Sequence, residues 1–116
     1  MEDSRLMQSM LLDFYGQLLT EKQRECYDLH YNEDLSLSEI AEHSGISRQA
    51  VWDNIHRAEA ALKATEEKTG LVTRFFETAT GLDSLREKLE KLLELSEGEV
   101  KCLAQEALND INSLRI

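Results

Sequence analysis

Proline is absent from this 116-residue chain, so no pyrrolidine ring interrupts a helix and long helices are expected. Aromatic residues make up only 6% of it. Runs of valine, isoleucine and threonine are also missing, which argues against β-sheet. No apolar run approaches the roughly 20 residues needed to cross a bilayer. The opening MEDSRLM has neither a signal-peptide nor a lipidation pattern. A cytoplasmic protein without membrane insertion is therefore expected. The two cysteines, Cys26 and Cys102, are far apart and belong to no C-x-x-C pair, so reduced thiols on helices are expected.

Positive charge is scarce as well. Twenty-three acidic residues face thirteen basic ones, for a net charge of −10. Up to Thr69 there are seven basic and fourteen acidic residues, a net of −7, and the remainder carries −3. Neither part has the broad basic footprint of a protein that holds nucleic acid by charge alone. His30, His43 and His56 are each 13 residues apart, which is no metal-ligand spacing on one helix. Carboxylate pairs such as Glu66-Glu67 and Glu97-Glu99 sit in segments that read as solvated helix, with no apolar pocket to raise a pKa. Phosphate loop, nucleophile elbow and Cys-His signature are all missing. The chain is not expected to be an enzyme, to take a cofactor or metal, or to bind a small-molecule substrate.

What is present is helical patterning. Leu6, Met7, Met10, Leu11, Phe14 and Leu18 recur at helical spacing from about Asp3 to Leu19. Thr20, with Gln23 three residues on, forms a capping box that starts a second helix at Glu21, reaching about Tyr31. Ser36 and Glu39 repeat the pattern before a short helix that buries Leu37, Ile40 and Ala41. Gly45 can take positive φ and end that helix. Ile46 fills the turn, and Ser47 caps a fourth helix through Val51, Ile55, Ala58 and Leu62. Further on, Lys68-Thr69-Gly70 and Thr80-Gly81 are candidate breaks. Val72, Phe75, Phe76 and Ala79 form one stripe, and Leu82, Leu85, Leu89 and Leu92 form a short heptad-like seam. Ser96-Glu97-Gly98-Glu99 suggests a last capping box, followed by Val100, Leu103, Ala107, Ile111 and Leu114.

The segment Leu35 to Leu62 therefore spells a short helix, a glycine turn and a second helix, the spacing of a helix-turn-helix over about 37–62. At about 100° per residue, Val51, Ile55, Ala58 and Leu62 share an inward face of the second helix. Gln49, Asp53, His56 and Ala60 lie opposite, with Trp52, Arg57 and Lys63 nearer the edges. Arg48 and Gln49 occupy the first turn, where a recognition helix meets base edges. Asp53 would repel phosphate, although an acidic side chain can accept from cytosine. Trp52 reads either as a half-buried edge of the core or as an interface anchor. Asp53-Asn54 reads as a solvated face or as part of a site.

Two resemblances follow from these residues. LTEKQRE from Leu19, then LHY from Leu29 and LSLSEIA from Leu35, resemble the promoter-binding region 4 of bacterial sigma factors over some 44 residues. The resemblance departs after Val51, where sigma factors commonly carry lysine or serine and then arginine. Here Trp52, Asp53 and Asn54 follow. Over the whole chain, DFYGQLLT, SLSEIAE and SRQAVWDNIHR are similar to the small bacterial YlxM-like helix-turn-helix family, which is associated with the signal recognition particle.

The resemblance implies an all-α protein. A sigma-region-4-like helix-turn-helix domain over 1–65 would precede a helical extension over 66–116. It implies a regulatory protein that binds DNA or RNA, acting around the signal recognition particle. The rival reading is a protein-interaction module that holds a component such as the particle's GTPase without binding DNA on its own. The residues expected to carry binding are Ser47, Arg48, Gln49, Trp52, Asp53, His56 and Arg57. The extension's leucines exceed what one helix can hide, so a homodimer is expected, with an intramolecular bundle as the alternative.

Overall fold

The computed structural model describes residues 2–114, with side chains from Ser4 onward; the outermost ends of the two expected segments, at 1 and at 115–116, lie outside the described residues. It is all-α. The elements are α1 (Glu2–Tyr15), a 3-10 turn (Gly16–Leu18), α2 (Glu21–Tyr31), α3 (Leu37–Ser44), α4 (Arg48–Thr69), α5 (Leu71–Leu95) and α6 (Gly98–Asn112). They form two compact units, Met1–Val72 and Thr73–Ile116.

In the first unit, local chemistry sets the boundaries. Thr20 and Gln23 close the capping box of α2, and Ser36 and Glu39 close that of α3. In each, the hydroxyl accepts a backbone N–H of the first turn while the N3 side chain returns to the cap. Gly45 takes φ +70° after α3, a left-handed conformation open to glycine at little steric cost. Its N–H and that of Ile46 both donate to the Ala41 carbonyl, at 2.9 and 3.3 Å. Ser47 caps α4 by accepting from the Ala50 N–H at 3.0 Å. Gly70, with φ +64°, ends α4, and α5 begins at once.

The core lies where α2, α3 and α4 meet: Cys26, Ile40, Val51 and Ile55, ringed by half-buried Leu29, Leu35, Ala41 and Ile46. Ala58 and Leu62 extend the buried stripe along α4, and Val72 closes it. Polar groups at its edge are satisfied. The Tyr27 hydroxyl donates to the Gln8 carbonyl at 2.8 Å, the Tyr31 hydroxyl donates to Glu59, and Arg5 donates to the Tyr31 carbonyl at 3.1 Å.

Both phenols are shifted upward. Burial is the main cause for each; the Glu59 carboxylate adds to it at Tyr31, whose pKa is pushed up to about 12. The fold thus favours the neutral phenols. Their contribution to stability is complete below the unfolded tyrosine value of about 10 and is lost as pH climbs towards about 12. Helicity followed by circular dichroism is expected to hold to about pH 10 and then to fall. Tyr31→Phe should move the midpoint upward. An unchanged midpoint would remove Tyr31 from the cause.

Four sequence expectations are corrected. First, of the expected α1 stripe Leu11 is buried and Met7 and Met10 are half-buried, but Leu6, Phe14 and Leu18 are exposed, and Tyr15 is buried instead, with Leu19 beyond the turn. The helix leans on α2 and α4 along a face one position from the richest apolar stripe. Second, Glu66 is not a solvated carboxylate. It is half-buried, accepts from the Tyr15 hydroxyl at 2.6 Å and from the Val72 N–H at 3.1 Å, and ties α1 to the start of α5.

Third, Ser96 forms no capping box. Its hydroxyl donates back to the Leu92 carbonyl at 2.7 Å, and α6 starts after Glu97 without a side-chain cap. Fourth, α5 runs through Thr80-Gly81 unbroken. One glycine in a helix interior costs about 0.5–1 kcal/mol against alanine, which is too little to stop a helix with packing along its length. A Cβ at Gly81 would meet nothing within 4 Å. Gly81→Ala is therefore expected to stabilise by about 0.5–1 kcal/mol in chemical denaturation. A loss would show that the site needs glycine.

In the second unit, α6 buries Ala104, Leu108 and Ile111. Val100, Leu103 and Leu114, expected in the core stripe, are exposed. On α5, Leu82, Leu89 and Leu93 are half-buried, while Leu85 and Leu92 are exposed.

Candidate nucleic-acid interface

The site is built by α3, the turn at Gly45 and the first three turns of α4. Val51, Ile55, Ala58 and Leu62 face inward and are between 0 and 2% exposed. Because they repeat at helical spacing, the opposite side of the helix faces out. Ser47, Arg48, Gln49, His56 and Arg57 are all exposed. Among the described residues, neither Arg48 nor Arg57 has an ion-pair partner, so both guanidinium groups are available.

Asp53 and Asn54 are more constrained than a solvated face. Asp53 is half-buried and accepts from the Gln49 side chain at 3.2 Å. That contact satisfies part of the carboxylate and pins Gln49 along the helix. The Asn54 side chain donates to the Ala50 carbonyl at 2.8 Å, so it turns back onto its own helix.

Trp52 is 44% exposed. Its ring stacks on His56 with centroids 3.7 Å apart and planes inclined by 25°. His56 is held in turn by a ring nitrogen, Nδ1, 2.9 Å from the Trp52 carbonyl. Beside this pair lies a shallow open cleft of about 510 Å3 lined by Leu37, Arg48, Gln49 and Trp52. The cleft brings one cation, one amide and two apolar side chains to the N-terminal outer edge of α4.

Leu37 is the residue that sequence reading did not assign here. As expected it packs against the core beside Ala41, half-buried, and it also forms one wall of the cleft. The available signal was its place as the first residue of α3, where a side chain reaches back beyond the helix end.

Among the described residues no cluster of histidine, cysteine, aspartate and glutamate could hold a metal ion, and no helix is long and apolar enough to cross a membrane. Cys26 is buried, which pushes its thiol pKa up and leaves it inert.

A short capped helix, a left-handed glycine, and a second helix buried on one face and open on the other together define a helix-turn-helix protein. The family described as "Putative helix-turn-helix protein, YlxM / p13 like" (UPF0122) matches residues 2–102, and the chain belongs to it. A UPF0122 protein of Thermoanaerobacter sp. is 41% identical over 117 residues, with both chains covered in full. One of Halalkalibacterium halodurans is 48% identical over 91 residues, covering 78% of this chain and 84% of the relative. Another, of Acetivibrio thermocellus, is 59% identical over 69 residues, or 60% of this chain and 59% of that one. The family is described by its helix-turn-helix and not by an enzymatic activity.

Proposed function

We propose that this chain is a regulatory protein that binds nucleic acid through the N-terminal outer edge of α4. In this reading residues 1–65 are the binding head. Ser47, Arg48 and Gln49 meet the ligand first, Trp52 and Asp53 flank it, and His56 and Arg57 extend the contact along the helix. Residues 66–116 bring two copies together as a homodimer. The observation that carries the reading is the pair of unpartnered guanidinium groups on the open side of a helix whose other side is sealed in the core. The resemblance to the signal-recognition-particle-associated family makes that particle's RNA, and DNA near the genes concerned, the ligands to test first; the compartment implied is the cytoplasm.

The charge balance limits affinity. Arg48, Arg57 and Lys63 are the exposed cations of this part of α4. Two or three neutralised phosphates per protomer give a log–log salt slope of about −2 to −3 for one head and about −4 to −5 for both heads of the dimer, against about −10 for a strongly basic DNA binder. The test is selection of the purified protein against random duplex DNA and random RNA pools, then titration of the enriched ligand across salt. The expected result is an enriched ligand with that shallow but definite slope. A flat response, or no enrichment at low salt, contradicts it.

One observation favours a second reading, a protein-interaction module that holds a component such as the particle's GTPase. An exposed tryptophan beside a leucine-walled cleft, on a unit of net charge −7 over its first 69 residues, is what a protein hot spot uses. Under that reading Trp52→Ala abolishes the protein complex, and no nucleic acid binds at physiological salt.

A further inference from the structure

The second unit keeps much apolar surface in water, and that surface is ordered. On α6, Val100, Leu103 and Leu114 lie about 70° round the helix from buried Ala104, Leu108 and Ile111. On α5, Leu85 and Leu92 lie about 70° from half-buried Leu82, Leu89 and Leu93, in the same rotational sense, with Leu95 beyond them. Arg86 donates to the Asn112 side chain at 2.8 Å, so the end of α6 returns beside the middle of α5 and the two helices run antiparallel. In an antiparallel pair, equal rotational offsets put both stripes on one flank.

We propose that this flank is the self-association surface, taken by the same flank of a second copy about a two-fold axis parallel to the helices. The proposal deepens the homodimer reading above and rests on it. Leu85, Leu92, Leu95, Val100, Leu103 and Leu114 are between 44 and 79% exposed. Together they present on the order of 600 Å2, against about 800 Å2 per partner in a standard interface, of which somewhat over half is apolar. A second copy is the occupant that such a flank matches in size.

Charge chooses the symmetry. The α5 rim of the flank carries Lys88, and the α6 rim carries Glu106 and Asp110; all three are exposed, and among the described residues none has an ion-pair partner. A two-fold parallel to the helices lays α5 of one copy against α6 of the other without changing height along the bundle. The Arg86 to Asn112 bond sets Asp110 level with Lys88. Lys88 therefore meets Asp110 of the partner subunit, twice by symmetry. A two-fold across the helices would set Lys88 against its own copy and the acidic rims against each other, which like charges oppose.

Sedimentation equilibrium of the full chain between about 1 and 100 μM tests this, a range that spans ordinary dimer affinities. Wild type is expected to be a dimer. Leu92→Lys with Leu103→Lys is expected to raise the dissociation constant at least about 100-fold, with helicity kept because both leucines are exposed; Leu103→Gln is the milder check. Lys88→Asp should weaken the dimer about tenfold, and adding Asp110→Lys should bring it back within about threefold. A dimer indifferent to the leucine changes overturns this surface while leaving dimerisation standing. A dimer that the charge exchange does not restore overturns the two-fold. A wild-type monomer throughout the range removes the homodimer reading and this proposal together.

Discussion

Ile40→Ala is expected to lower the melting temperature of the first unit by roughly 8–40 °C. Ile40 is completely buried, at the point where α3 rests on α2 and α4, with Cys26, Val51 and Ile55 around it. Truncating a buried isoleucine removes its transfer free energy and leaves a cavity, costing about 2–5 kcal/mol. In a domain of 60–100 residues each kcal/mol shifts the melting point by about 4–8 °C. The neighbours cannot collapse to fill the gap easily. Val51 and Ile55 are fixed by the length of α4, and α3 is held at both ends by its capping box and by Gly45. The loss also has a functional side, because α3 supplies Leu37 to the cleft and sets the direction in which α4 leaves the turn. A calorimetric shift of only a few degrees would mean that α3 is not the keystone described.

The second large effect concerns binding rather than stability. Arg48→Ala together with Gln49→Ala is expected to weaken binding of the selected nucleic acid by about 30-fold or more, since each good base contact is worth roughly 1–3 kcal/mol. Both side chains are exposed, so the melting temperature should barely move. Trp52→Ala removes the platform under His56 and one wall of the cleft, and a similar loss is expected from it. Val51→Ala, one residue away, is the opposite control. It strikes a residue with no exposure and should unfold the head before it alters binding. Isothermal titration beside thermal denaturation separates the two classes. If Arg48 and Gln49 can be changed without effect on nucleic acid while Trp52→Ala abolishes a complex with a protein, the protein-interaction reading gains at the expense of nucleic acid.

Much of the first unit was legible from sequence because its boundaries are set locally. Two capping boxes, the Ser47 cap and a glycine that accepts positive φ specify α2, α3 and α4 within a few bonds of the residues concerned. The inward stripe of α4 was legible too, since its four buried positions were its most regular apolar repeat. The faces of α1 and α6 were not. Each carries more apolar residues than one contact can cover, so neighbouring elements decide which row is buried, and sequence spacing alone selected the wider row. Glu66 was misread for a related reason: its partners, the Tyr15 hydroxyl and the Val72 N–H, are distant or non-local, and no spacing rule marks them. At the candidate site, the outward direction of Arg48, Gln49, His56 and Arg57 followed from helical geometry. The cleft did not, because it depends on Leu37, which belongs to a different helix, and on how far Trp52 stands out from the body.

The chain holds a single tryptophan beside three tyrosines, so fluorescence excited selectively at the tryptophan band reports on Trp52 alone. The most direct test of the central claim is its emission during titration with the nucleic acid enriched by selection, with acrylamide quenching measured at each end. Saturable quenching that tracks binding, together with loss of acrylamide access, is the predicted result. Binding that saturates by anisotropy while Trp52 emission and access stay unchanged would place the ligand elsewhere and contradict the account.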